Sequence, residues 1–165
     1  MTEQKRFCLW LDDDVRFLKA VEDFLPSDTV SFGYADSVHS ALTMLGGIKH
    51  VPLLLFDAIV PISRGEEQLE GLVTGSERDR VNINWADYQG FSNLERRGLL
   101  FIKLCELLGV SFGKTVLISY VPERQLREMG YKPDRYISKL SLKDELRSLH
   151  SFIVGSSEGD GTREV

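Results

Sequence analysis

Residues 6–18 read RFCLWLDDDVRFL. An apolar run, Phe7 to Leu11, stops abruptly at three consecutive acids, Asp12, Asp13 and Asp14, and an amphipathic stretch follows at once. A short continuous apolar run fits a strand buried on both faces, as in a parallel sheet, because a half-exposed strand would alternate. One acid suffices to cap the following helix and face its positive end, and Asp14 suits that role. Capping leaves Asp12 and Asp13 without a purpose. Carboxylates gathered at one point repel each other and raise each other's pKa unless a cation lies between them. The triplet therefore reads as a helix cap joined to half of a cation site.

Working outward, strand and helix signals alternate. Between Val15 and Leu25 the apolar residues Phe17, Val21 and Phe24 recur at helical spacing, and Pro26 follows. Thr29 to Tyr34 reads as a second strand. Asp36 and Ser37 offer caps for a helix with the stripe Val38, Ala41, Leu42 and Leu45, closed by Gly46-Gly47. Val51 to Phe56 is a third buried strand and ends at Asp57. Residues 62–95 break the rhythm: they are polar, charged and glycine-bearing, far longer than a usual strand-to-helix loop, and read as an insertion. Within it Trp85, Tyr88 and Phe91 are spaced by three, as on one face of a short helix.

Order resumes with SNLERRGLLFIKLCELLG, where Ser92 and Glu95 make a capping-box pattern and Gly109 is placed as a terminator. Thr115 to Ser119 is a fourth strand, Glu123 to Met129 a short helix ended by Gly130, and Tyr136 to Ser138 a fifth strand. The last helix starts at Ser141 and buries Leu142, Leu146, Leu149 and Ile153. Residues 155–165, GSSEGDGTREV, are too polar and glycine-rich to pack and are expected to be disordered. Strands alternating with helices imply one α/β domain over residues 1–154, with a parallel sheet covered on both faces.

Composition narrows the function. A chain of 165 residues with a net charge of −5 lacks the basic balance of a nucleic-acid surface. No apolar run reaches the ~18 residues of a membrane span, and MTEQKRF has no signal-like core, so a cytoplasmic protein is expected. Cys8 and Cys105 lie in apolar runs and are expected as buried free thiols. His39, His50 and His150 stand apart, without metal-ligand spacing.

In parallel sheets, ligands gather beyond the carboxyl ends of the strands. Here those ends carry Asp12-Asp13-Asp14, Asp57, Ser119 and Lys139. One or two carboxylates with water suit magnesium. Asp57 beside it could act as a nucleophile toward a phosphoryl group, with Lys139 neutralising charge and the Ser119 hydroxyl donating to a phosphoryl oxygen.

The ordered set LWLDDD, LLLFDAIVP, VLIS and YISKL resembles the receiver domains of two-component response regulators over roughly residues 6–154, apart from the insertion. The resemblance implies a flavodoxin-like (βα)5 doubly wound sheet with strand order 2-1-3-4-5. It implies Asp12 and Asp13 as the magnesium-binding pair, Asp57 as the phospho-accepting aspartate and the carbonyl of Ile59 as a further metal ligand. Ser119 matches the switch hydroxyl, Lys139 the family lysine and Tyr136 the switch aromatic. Three departures stand out: Leu140 where a proline is usual, bulky Tyr120 directly after Ser119, and a glycine match delayed to Gly98 by about 33 extra residues relative to the usual loop.

The function expected is a stand-alone receiver that takes a phosphoryl group on Asp57 from a histidine kinase, a phosphotransfer protein or a small phosphodonor. It would be no enzyme beyond its own phosphorylation and dephosphorylation. Its output would leave through contact with a downstream protein or through a homodimer, with no part for nucleic acid or membrane. One alternative is a receiver-like interaction module independent of phosphorylation. Another is a phosphohydrolase of the haloacid-dehalogenase type using Asp12, Asp14, Ser119 and Lys139. Arg16 stands where that pattern expects a Thr or Val, and Asp57 would go unused.

Overall fold

A computed structural model describes residues 4–25, 28–60 and 96–154. The insertion with its aromatic triplet, the Ser92–Glu95 capping pattern and the tail lie outside the described residues. Five strands, β1 (Arg6–Leu11), β2 (Val30–Ala35), β3 (His50–Phe56), β4 (Ser111–Ser119) and β5 (Arg135–Ser138), form one parallel sheet in the order β2-β1-β3-β4-β5. Between and after them run α1 (Val15–Glu22), α2 (Val38–Leu45), α3 (Arg97–Leu107), α4 (Glu123–Met129) and α5 (Leu142–Val154), with a 3-10 turn at Lys139–Ser141 leading into α5.

Alternation along the strands divides the core. Cys8, Trp10, Leu53, Leu55, Val116 and Ile118 face α1 and α5, where Val21, Leu146, Leu149 and Ile153 meet them. Leu9, Leu11, Leu54, Phe56 and Leu117 point the opposite way, toward Leu42 of α2, Phe101 and Leu104 of α3 and Leu126 of α4. Both thiols are buried and free.

Local chemistry sets the boundaries. The Ser37 hydroxyl accepts from the amide of Ser40 at 3.1 Å while the Ser40 hydroxyl accepts from the amide of Ser37 at 3.1 Å, a reciprocal cap on α2. After α3, the amide of Gly109 donates to Glu106 and that of Val110 to Cys105, and Gly109 takes a φ of +72°, which closes a Schellman turn. Gly130 repeats the pattern after α4, at a φ of +101°.

Two expectations are corrected. Helix α1 stops at Glu22, Phe24 is 42% exposed, and Leu25 fills the core instead. The amide of Leu25 still donates to Val21 at 3.0 Å, which stacks Leu25 and not Phe24 one turn above Val21 on the buried side. Strand β4 begins at Ser111, four residues earlier than its apolar pattern suggests. The register joins Val51 to Phe112 and Leu53 to Lys114, leaving Pro52 opposite Gly113. Proline has no amide to donate there. A Cβ at Gly113 would lie 2.5 Å from the Pro52 carbonyl oxygen, so the glycine permits the strands to close.

Candidate functional site

The carboxyl ends of β1, β3 and β5 deliver three side chains to one point. The ladder runs one residue past the strands: the amide of Asp12 donates to Ala35 at 3.0 Å and that of Asp57 to Leu11 at 2.9 Å. Both aspartates are thereby held by backbone, level with the sheet edge. Lys139, the first residue after β5, reaches across β4 and β3. Its Nζ lies 2.8 Å from Asp57 Oδ2 and 2.8 Å from Asp12 Oδ2. The hydrogen bond to Asp12 runs to Oδ1 at 3.0 Å, while Oδ2, though nearer, makes none. One ammonium therefore bridges two carboxylates 45 residues apart in the chain.

Backbone amides fix both carboxylates further. Asp57 Oδ1 accepts from the amide of Ile59 at 3.2 Å, and Asp12 Oδ1 accepts from the amide of Asp14 at 2.9 Å. Asp12, Asp57 and Lys139 are all buried, at 1%, 4% and 6% exposure. Burial pushes the Asp12 carboxyl up to about 6, against the lowering pull of Lys139 and the Asp14 amide. Burial draws the Lys139 ammonium down, but Asp57 and Asp12 together outweigh it and hold its pKa above the ordinary lysine value.

The other residues singled out in the sequence make contacts of their own. Asp13 is exposed beside Asp12. Asp14 caps α1 by accepting from the amide of Arg16 at 3.2 Å, and its two oxygens also take the Arg16 guanidinium at 3.1 and 3.2 Å. Ser119 is fully buried at the end of β4, where its Oγ accepts from the amide of Val121 at 3.2 Å. Tyr136 is half-buried on the α4 side, packed under Arg127, and donates to the carbonyl of Tyr131 at 2.6 Å. Leu140 is 82% exposed and follows Lys139 through a trans peptide.

Two contributors went unmarked in the sequence. The Tyr131 hydroxyl accepts from the amide of Leu99 at 3.2 Å and donates to the carbonyl of Ala58 at 3.4 Å, which ties the α4–β5 loop to the start of α3 and to the residue after Asp57. The available signal was an apolar residue directly after the glycine that ends α4, a position that often packs back on the helix. Phe17, read as part of the α1 stripe, packs against the core as expected and also faces the lysine: Lys139 Nζ sits 4.9 Å from its ring centre and 5.5 Å from that of Tyr120.

Among the described residues no three acids, histidines or cysteines form a ready-made metal cluster. The donor chemistry nevertheless fits a hard divalent ion. Asp12 and Asp57 present oxygens to one cation already, Asp13 is exposed alongside, and such an ion needs only one or two carboxylates, with water completing its shell.

The sequence matches no family model and no curated protein. Solved structures do match. A two-component response regulator from Clostridium difficile is 15% identical over 93% of this chain and 99% of its own, with a TM-score of 0.54. The receiver domain of sensor histidine kinase PA1611 from Pseudomonas aeruginosa PAO1, solved with a magnesium ion coordinated in its active-site cleft, is 13% identical over 92% of this chain and 99% of its own, with a TM-score of 0.50. The chain has the fold of response regulator receiver domains, with the strand order 2-1-3-4-5.

Proposed function

We propose that this chain, built on the receiver fold, accepts a phosphoryl group on Asp57 and signals by protein contact. The observation that carries the reading is the bridge from Lys139 to both Asp57 and Asp12 at the carboxyl edge of the sheet. A buried carboxylate held beside a buried cation is a nucleophile whose product, a more highly charged acyl phosphate, has a counter-charge waiting.

In the transfer, an Asp57 oxygen forms a bond to phosphorus as the phosphorus–nitrogen bond of a donor phosphohistidine breaks. The ring nitrogen keeps the bonding pair, and the proton on the other ring nitrogen makes the leaving group neutral imidazole. Lys139 stays against the modified side chain and balances its added charge. Ser119 Oγ already accepts from Val121, so its own O–H is free to donate toward a phosphoryl oxygen. Asp12, Asp13, Asp57 and the Ile59 carbonyl are the oxygens that would hold magnesium, whose charge would stabilise the transferring group. The donors that fit are a histidine kinase, a phosphotransfer protein or a small phosphodonor. The signal would leave along Tyr136, through a downstream protein or a homodimer.

A second reading, an interaction module independent of phosphorylation, is favoured by one observation: both Asp57 oxygens are occupied, by Lys139 and the Ile59 amide, and the residue is only 4% exposed. The phosphohydrolase reading loses support because Asp14 is committed to Arg16.

The test is intact-protein mass after incubation with magnesium and phosphoramidate, for wild type and Asp57→Asn. Gain of one phosphoryl group by wild type alone, dependent on magnesium, supports the receiver. An unmodified wild type that also fails to accept phosphate from any phosphohistidine protein supports the module.

A further inference from the structure

Tyr120 is 47% exposed at the end of a central strand, an odd place for an aromatic with no core to fill. Its ring meets Phe17 edge-on, with centres 5.8 Å apart and planes at 78°. Phe17 comes from α1 and Tyr120 from the residue after Ser119, so the contact spans the mouth of the site from β1's helix to β4's loop. Beneath the pair lies the Lys139 ammonium, within cation–π range of both rings. The lysine thus contacts two carboxylates and two aromatic rings, and its side chain is 2% exposed.

We propose that Phe17 and Tyr120 form an aromatic cover that locks Lys139 onto Asp57 and sets the rate at which phosphoryl groups enter and leave the site. The proposal rests on the phosphoacceptor reading. Entry requires the donor to approach an oxygen that Lys139 now occupies, and the rings oppose the lysine's shift. Loss requires water to reach the acyl phosphate, and the same rings exclude it. The cover therefore slows both directions, favouring a slowly formed and long-lived phosphorylated state.

Two readouts test this with Tyr120→Ala, Phe17→Ala and the ring-preserving Tyr120→Phe. The first does not depend on phosphorylation: labelling of Lys139 by an amine-reactive ester without metal, read by peptide mass against the exposed Lys103 as internal standard. The second is the rate of phosphoryl uptake from phosphoramidate with magnesium, and the half-life of the product. Tyr120→Ala should label Lys139 roughly tenfold faster, and should gain and lose phosphate roughly tenfold faster, the rate equivalent of one partly desolvated cation–π contact. Tyr120→Phe should match wild type. Should Phe17→Ala fail to fold, Tyr120→Ala alone carries the test, since its ring is half in solvent. Unchanged Lys139 labelling overturns the cover. Faster labelling with unchanged uptake and loss, in a protein that does accept phosphate, overturns its control of rate. Faster labelling with no phosphate in any form supports the cover and discards the phosphoacceptor reading.

Discussion

The hydroxyl of Tyr131 donates to the carbonyl of Ala58, 73 residues earlier in the chain and one residue past Asp57. The same oxygen receives the amide of Leu99 in the first turn of α3, and the Tyr131 carbonyl receives the Tyr136 hydroxyl. A single buried phenol thus stands where a helix cap would, and joins the candidate phosphoacceptor strand to the β5 edge. Burial raises its pKa, so it remains a neutral donor across the working pH range. Tyr131→Phe keeps the ring and removes both bonds. It should cost ~1–2 kcal/mol, and lower the midpoint of thermal unfolding by ~2–8 °C. Calorimetry on the two proteins decides it, and an unchanged midpoint would show the phenol bonds to be energetically idle.

Gly98 lies in the same corner. A Cβ there would be 2.7 Å from the Asp57 carbonyl oxygen, 2.9 Å from the Tyr131 hydroxyl and 3.2 Å from Ala58 Cα. Two of these neighbours are backbone and cannot swing aside. Alanine is the better helix former, so on propensity alone Gly98→Ala would stabilise α3. Close approach should win, with a loss of ~1–3 kcal/mol of the kind that overpacking causes. Urea unfolding of the variant gives the sign directly.

What could be read without coordinates follows from distance along the chain. The stripes of α2 and α5 are helical periodicity and came through residue for residue, and Asp14 and Ser37 cap as their neighbours dictate. Asp12, Asp57, Ser119 and Lys139 were legible because each stands at the carboxyl end of a strand-like run, and a parallel sheet must bring such positions to one edge. Tyr131 was not, because its partners are set by how α3 and the α4–β5 loop pack. The early start of β4 was hidden as well: Gly113 weakens the strand pattern and makes sense only once Pro52 is known to lie opposite.

Asp12 makes stability depend on pH in an unusual sense. Its folded pKa is about 6 against an ordinary 3.8, so between those values the folded chain keeps a proton that the unfolded chain releases. Stability should therefore fall as pH rises from about 4 to 6, by on the order of 3 kcal/mol for this group. Lys139 acts at the other end: with its pKa raised, its contribution holds below the ordinary lysine value and disappears as pH climbs through the raised one. Urea midpoints in metal-free buffer across pH 4–7 should show the acid-side slope, and Asp12→Asn should flatten it. A wild-type curve that rises over that interval would contradict a desolvated Asp12.

The bridge itself can be weighed by removing its centre. Lys139→Met keeps an unbranched stem against Phe17 and Tyr120 but deletes the charge, leaving Asp12 and Asp57 buried together without a cation. Breaking a buried pair from one side leaves uncompensated charge, and ~3–5 kcal/mol should be lost at neutral pH. Three changes should each restore part of that loss, because each relieves the same repulsion. Lowering the pH to about 5 lets one carboxylate take a proton, Asp57→Asn removes one charge outright, and magnesium replaces the missing cation. Asp57→Asn should therefore be far less costly, or stabilising, in the Lys139→Met background than in wild type, a coupling that a double-mutant cycle measures. Additive effects of the two substitutions would mean that the three side chains are neighbours without being a unit, and the site would then have no stored charge balance for a phosphoryl group to alter.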